Sequence, residues 1–224
     1  MVKSSRQGRK LDVKEDALRE IFTIYERIKP DIEKRLMEFN RFYEIASEDG
    51  LFAEMVFCLL TPQSKAKVCW KAVERMKDSG VLYKGSAGEI EPYLNGVRFY
   101  KTKARRIVKA REKFYGKIRK TVKSFDDVKK LRDFLVKNID GYGYKEASHF
   151  LRNIGFGDEL SILDRHVLKN LKRLGVINEI PKSLTKKRYL EIEERMEEFC
   201  ERNGIPMDHL DLVLWYKEVG EVFK

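Results

Sequence analysis

A lysine amine that has given up its proton is a nucleophile, and one lysine of this chain stands where helix geometry disfavours a positive charge. Lys145 falls in the first turn of a helical pattern running to Ile154, where the positive end of the helix dipole opposes a cation. Just before it lies Ile139-Asp140-Gly141-Tyr142-Gly143-Tyr144. Gly141 and Gly143, one residue apart, permit backbone conformations closed to other residues and expose amide N–H groups at the start of the next helix. Such donors suit a phosphate. Nineteen residues beyond Lys145, Asp164 opens the segment Leu163-Asp164-Arg165-His166-Val167-Leu168-Lys169-Asn170-Leu171. A carboxylate there can stabilise positive charge on a substrate, or can simply cap the helix it begins. Lys145 likewise has two readings, nucleophile or surface contact to a phosphate.

These residues must be carried by helices. Apolar residues recur at helical spacing along most of the chain: Leu18, Ile21, Phe22, Tyr25 and Ile28 before Pro30, then Leu51, Met55, Val56, Leu59 and Leu60. No alternating strand pattern interrupts them. Ser124 and Asp127 stand as a capping pair before Val128 to Ile139, and Gly80, Gly155, Gly175 and Gly204 fall where helices should stop. The expected fold class is all-α. Turn residues gather between Gly80 and Gly96, and no long Ser/Pro linker, repeat or low-complexity tract divides the chain.

Composition narrows the function classes. The 224 residues include 47 Lys+Arg against 36 Asp+Glu, a net charge of +11, with 42% hydrophobic and 11% aromatic residues. That is enough apolar material for a core, and the apolar runs are far too short to span a bilayer. The opening residues are polar and basic without an apolar stretch, so no secretory leader is expected and the protein should stay in the cytoplasm. Cys58, Cys69 and Cys200, with His149, His166 and His209, show neither disulfide nor metal-ligand spacing. No metal and no cofactor are expected, and the histidines are assigned structural roles.

The charge is concentrated. Arg98 to Lys123 holds twelve basic residues against the single acid Glu112, interleaved with Phe99, Tyr100, Phe114 and Tyr115. A solvated helix face usually mixes the two signs, and this block does not. It reads as a surface for a nucleic-acid backbone. Arg6, Arg9 and Lys10 add either a basic arm or an unstructured start.

Ile139 to Ala147 matches the helix-hairpin-helix pattern, apolar-x-Gly-apolar-Gly-x-x-x-Ala, at every position. With Lys145 inside it, the segment Leu163-Asp164-x-His166-Val167 downstream, and Phe52 to Gln63 ending in Leu60-Thr61-Pro62-Gln63, the chain resembles the helix-hairpin-helix DNA glycosylase superfamily. It is most similar there to the type 2 8-oxoguanine DNA glycosylases, which lack the four-cysteine iron–sulfur motif of the endonuclease III branch. Gly141-Tyr142-Gly143-Tyr144-Lys145-Glu146-Ala147-Ser148-His149-Phe150-Leu151-Arg152-Asn153 resembles their hairpin signature, and Asp211 through Trp215 to Lys224 their base-recognition segment.

That resemblance implies a bifunctional enzyme of base-excision repair in a prokaryotic, nucleoid-associated setting, with duplex DNA containing 8-oxoguanine as its partner and a monomeric chain. It implies that Lys145 and Asp164 are catalytic, that Phe99 and Trp215 sandwich the extruded purine, and that Asp211 and Lys224 read its polar edge. Gly141, Tyr142 and Gly143 would hold the DNA backbone. Gln63 would fill the gap left by the flipped base, or cap a helix break beside Pro62. From periodicity alone Trp215, following Leu212, Val213 and Leu214, reads as core. Two helical subdomains are implied, 47–157 and 1–46 with 158–224, with the active-site cleft between them. The alternatives are a glycosylase for an oxidised pyrimidine or mismatched thymine, and a non-catalytic DNA-binding module.

Overall fold

The structure, a computed structural model, describes residues 2–222, and their side chains from Lys14 onward. Among the described residues every regular element is helical: α1 (Val2–Ile45), α2 (Glu48–Leu60), α3 (Ala66–Asp78), α4 (Val81–Lys84), α5 (Ala87–Ile90), a 3-10 turn (Glu91–Leu94), α6 (Tyr100–Phe114), α7 (Ile118–Lys123), α8 (Val128–Asn138), α9 (Tyr144–Asn153), α10 (Arg165–Arg173), α11 (Lys186–Asn203) and α12 (Met207–Val219). None is long and apolar enough to cross a membrane. The chain divides into two compact units. One takes the described residues up to Glu38 and from Asp158 onward, and the other is Phe39–Gly157.

The Phe39–Gly157 unit is built on α2. Ser47 caps its start by accepting from the Gly50 amide, and every residue from Leu51 to Leu60 is buried, as expected of a helix apolar on all sides. Helices α3, α6, α7 and α9 pack around it. Burial of Leu51, Phe52, Met55, Val56, Phe57 and Leu60 contributes about 1.5–3 kcal/mol each. That outweighs the cost of the one carboxylate in the run, Glu54, which is buried and accepts from Asn153 Nδ2 at 3.1 Å. α8 and α9 pack on each other and form the two arms of the hairpin.

In the other unit α12 packs on α10 and α11. Among its polar ties are those at the buried Ser161: Tyr189 Oη donates to Ser161 O at 2.7 Å, and Glu193 accepts from the Ser161 amide and hydroxyl.

Helix α1 runs through Pro30. One local expectation is corrected. Ser124 is not the cap of α8: its hydroxyl donates to Thr121 O at the end of α7, and Asp127 alone caps α8 by accepting from the Lys130 amide. Both residues bond backbone within three positions, and the short turn between α7 and α8 assigns them to different helices.

Candidate active site

The hairpin turn leaves α8 at Ile139 and closes with the Tyr142 amide donating to Ile139 O at 3.1 Å. Gly141 takes φ +93°, and a Cβ there would meet Arg106 Cδ at 2.8 Å, so the residue answers both a left-handed backbone and a close approach. Two expectations for this turn are revised. The Gly143 amide, anticipated as a phosphate donor, donates to Glu146 Oε2 at 3.0 Å, because Glu146 occupies the third position of α9 and its carboxylate reaches back to the residue before the helix, the one half of a capping box that a glycine allows. The Tyr142 side chain does not face solvent. It is 6% exposed and its hydroxyl donates to Met55 O at 2.7 Å, which anchors the turn to α2. Burial holds that phenol well above its ordinary range.

From this turn Lys145 is directed inward. Its side chain is 21% exposed, against 65% for Lys109. Nζ lies 3.1 Å from Thr61 Oγ1 and 3.1 Å from Glu146 Oε1. The Thr61 hydroxyl donates to Cys58 O at 2.9 Å, which leaves its oxygen to accept from the lysine. One carboxylate therefore caps α9 with Oε2 and holds the lysine amine with Oε1.

Thr61 begins the turn that leaves α2, closed by the Ser64 amide donating to Thr61 O at 3.0 Å. Gln63 sits exposed at its tip with φ +56°. Phe99, just before α6, has φ +58° and is 56% exposed, with the Arg98 guanidinium 5.5 Å from its ring centre. These two are the non-glycine residues of positive φ among the described residues. They are joined, since the Arg98 amide donates to Ser64 Oγ at 3.0 Å. Non-glycine residues held there mark places where the surroundings over-determine the backbone, which concentrate at functional sites.

The basic block divides. Along α6, Lys109 pairs with Asp140 at 2.8 Å and Lys113 donates to Asn138 Oδ1 at 2.7 Å, so with Arg106 against Gly141 a cationic edge follows the hairpin. The Lys109 hydrogen bond holds the Asp140 carboxyl below its usual range. Three cations of the block instead turn inward. Arg111 donates to Leu82 O and Gly85 O, Arg119 to Tyr43 O and Ala46 O, and Lys103, 1% exposed, to Leu60 O and Pro62 O.

The second group of candidates lies in the other unit. Asp164 caps α10, its Oδ1 accepting from the His166 and Val167 amides at 2.8 Å each. On α12 Asp211 is buried and Trp215 half-buried, one turn apart on the same face. The His166 ring meets Trp215 edge-on, 5.8 Å between centres, and its Nδ1 is 3.5 Å from Glu218 Oε2. The Trp215 indole N–H is buried and has no hydrogen-bond partner among the described residues. His209 Nδ1 lies 3.0 Å from the Tyr25 hydroxyl, a packing role.

Lys145, Gln63 and Phe99 thus share one unit, and Asp164, Asp211 and Trp215 share the other. Lys224 lies outside the described residues, as do the side chains of Arg6, Arg9 and Lys10. No group of three or more His, Cys, Asp or Glu side chains among the described residues could hold a metal ion.

Three residues escaped the reading of the sequence. Glu146 had a signal, its place three residues after Gly143, the capping-box spacing. Thr61 adjoins the Pro62-Gln63 break, which marked the turn but not its contact with Lys145. Lys103 was one cation in a run of twelve, and nothing in the run distinguished it.

Comparison with known proteins bears on this geometry. The 8-oxoguanine DNA glycosylase family matches residues 32–205. A Fusobacterium nucleatum protein named 8-oxoguanine DNA glycosylase/AP lyase is 46% identical over 215 residues, covering 94% of this chain and 99% of its own. Its Methanocaldococcus jannaschii counterpart is 40% identical, covering 88% and 93%. Among solved structures, the Thermotoga maritima 8-oxoguanine DNA glycosylase superposes with a TM-score of 0.85 at 40% identity over 94% of this chain and all of its own. The M. jannaschii glycosylase/lyase in complex with a 15mer DNA containing 8-oxoguanine gives 0.84 at 38% identity, covering 92% and 98%. With matches of this extent and identity, the chain belongs to the 8-oxoguanine DNA glycosylase family.

Proposed function

We propose that this protein is a base-excision repair enzyme that removes 8-oxoguanine from duplex DNA and then cuts the strand 3′ to the abasic site, with Lys145 as the nucleophile. The observation that carries this reading is the inward Lys145 amine. A lysine whose work is to touch phosphate gains from exposure and mobility, as Lys109 does at 65%. Lys145 is instead held at 21% exposure between a hydroxyl and a carboxylate.

The chemistry needs no oxidant. The damaged nucleotide turns out of the duplex, because the glycosidic carbon is inaccessible within the stack. Neutral Lys145 Nζ attacks C1′ as the bond from C1′ to the base breaks, and the departing base takes the bonding electrons and a proton. The C1′–O4′ bond then breaks, O4′ taking a proton from solvent, and the ring opens to an imine protonated at nitrogen. That imine acidifies C2′–H. Loss of this proton expels the 3′ phosphate and leaves a cut strand, and water then hydrolyses the imine and returns the lysine.

Asp164 supplies a carboxylate that stabilises positive charge developing on the sugar. Its Oδ1 is committed to the α10 amides, and the charge and Oδ2 serve the reaction. Phe99 and Trp215 stack on the purine, worth about 1–3 kcal/mol per base, while Asp211 and Lys224 read its polar edge. Gln63 occupies the space vacated by the base. Gly141, with no side chain and Arg106 beside it, holds the phosphate track. The relatives' names and the DNA lesion bound by the M. jannaschii enzyme support the same substrate. Action on chromosomal DNA would set the protein in the cytoplasm.

The test is product analysis. Duplexes carrying 8-oxoguanine opposite cytosine, thymine glycol, or a G·T mismatch are incubated with the protein, and released base and strand ends are identified. Free 8-oxoguanine with a β-elimination end is expected from the first duplex alone. Preferential release of the pyrimidine would overturn the assignment of substrate.

A further inference from the structure

Lys103 projects from α6 with 1% of its surface exposed, and the three donors of its ammonium meet three oxygens: Leu60 O at 2.7 Å, Pro62 O at 2.8 Å and Ser64 Oγ at 3.2 Å. Burying an ammonium is costly unless it is fully bonded. Filling the same space required only a methionine, so the charge calls for an explanation in what its three acceptors do.

Leu60 and Pro62 flank Thr61, whose hydroxyl oxygen accepts from Lys145 Nζ at 3.1 Å. Pro62 and Ser64 flank Gln63, held at φ +56°. Ser64 Oγ also takes the amide of Arg98, the residue before Phe99 at φ +58°. One ammonium thus fixes the backbone on both sides of the residue touching the nucleophile, fixes it on both sides of one strained residue, and is a single hydrogen bond from the neighbour of the other.

We propose that Lys103 is a positioning residue of the excision reaction, holding the turn 60–64 so that Thr61 meets the Lys145 amine while Gln63 and Phe99 keep the conformations in which they meet DNA. The proposal rests on Lys145 being the nucleophile and deepens that reading. Lys103 itself touches neither sugar nor base. Its contribution is preorganisation, the removal of backbone freedom from groups that act elsewhere.

Non-additivity tests it. Lys103→Met, Thr61→Val and the double variant are compared with wild type in single-turnover cutting of an 8-oxoguanine duplex with enzyme in excess, alongside DNA affinity and thermal melting. A duplex with 2-aminopurine paired opposite the lesion site reports extrusion by fluorescence. Lys103→Met is expected to slow single-turnover cutting about 10- to 100-fold, the cost of misplacing a reacting group by about an ångström. Its DNA affinity should hold and the 2-aminopurine signal should fall. The double variant should be no slower than the slower single variant, because both changes act through one contact.

Lys103→Met cutting at the wild-type rate, or effects of the two changes that multiply, would overturn the proposal. Should Lys103→Met fail to fold, Ser64→Ala removes the hydroxyl that accepts from both Lys103 Nζ and the Arg98 amide and leaves the two carbonyl acceptors of Lys103 in place. Its cutting should be slower by about 3- to 10-fold, with a melting temperature lowered by a few degrees and the fold retained, and an unchanged rate overturns the proposal. Wild-type protein with no lesion-dependent cutting would overturn the functional reading and this proposal with it. Wild-type activity with an indifferent Lys103→Met overturns the proposal alone.

Discussion

Asp164→Asn and Asp164→Ala distinguish what the Asp164 carboxylate does for the helix from what it does for the reaction. Both α10 amides that it caps, those of His166 and Val167, lie 2.8 Å from the same oxygen, Oδ1. An asparagine carbonyl in that position accepts both. What Asn loses is the negative charge at the helix start, worth about 0.3–1 kcal/mol at a partly exposed site. Alanine loses the cap outright, at about 0.5–2 kcal/mol. In a chain of this size about 1 kcal/mol moves the melting temperature by roughly 2–4 °C, so the two variants are separable by calorimetry, with Ala the less stable. Single-turnover cutting of the 8-oxoguanine duplex should behave otherwise. Both variants lack the charge, and both should fall by about 10²–10³-fold, the usual cost of removing one group aimed at developing charge. Asn retaining near-wild-type cutting would reduce Asp164 to a cap and refute its assigned role.

Gly141→Ala forces a Cβ onto a backbone at φ +93° and against Arg106 Cδ at 2.8 Å. It should cost about 1–2 kcal/mol from the backbone alone and weaken DNA binding as Arg106 is displaced, read by denaturant melts and anisotropy titration. Lys103 predicts a pH signature in stability. Burial draws its amine from 10.5 to about 8, opposed by Cys69 and Glu146 and reinforced by Lys145 and Arg106. Below about pH 8 both folded and unfolded chains carry its proton and the whole burial cost is felt. Between about 8 and 10.5 the unfolded chain binds the proton and the folded chain does not, so stability rises with pH there. Wild type should therefore gain stability relative to Lys103→Met across that window. The neighbouring Cys69 thiol, pushed up by burial to about 11 against the pull of Lys103, also differs between the two proteins at the alkaline end, so the rise just above pH 8 is the part assigned to Lys103. A flat difference curve would show the amine already neutral or still solvated.

The helices were legible because their signals are local. Apolar spacing marks α2, and the two glycines before Lys145 mark the hairpin, so those elements follow from periodicity and backbone permissiveness alone. Pro30 sits inside α1: proline removes one amide donor and strains one turn, and a 44-residue helix with Ile21, Ile28, Ile32 and Phe39 all buried absorbs that loss. Ser124 and Asp127 misled because either can cap, and only the length of the intervening turn decides which helix each serves.

In the site, Lys145 and Asp164 could be singled out because each stands at a helix start. The inward partners could not. Thr61 meets Lys145 of the hairpin across 84 residues, and Lys103 meets Pro62 across 41, separations that no local pattern encodes. Tyr142 shows the converse. The resemblance set this tyrosine, between two glycines, on the DNA backbone, yet its hydroxyl reaches Met55 O across 87 residues, and the phenol serves the core.

The account stands or falls on whether the Lys145 amine forms a bond to lesion-bearing DNA. Borohydride reduction during incubation with a labelled duplex carrying one 8-oxoguanine opposite cytosine traps any imine as a stable adduct, and peptide mapping locates it. The expected result is an adduct on Lys145 with that duplex, none with the undamaged duplex, and none from Lys145→Gln, which should still bind DNA. An adduct persisting in Lys145→Gln or mapping to another residue, or none from wild type despite tight salt-sensitive binding, would contradict it.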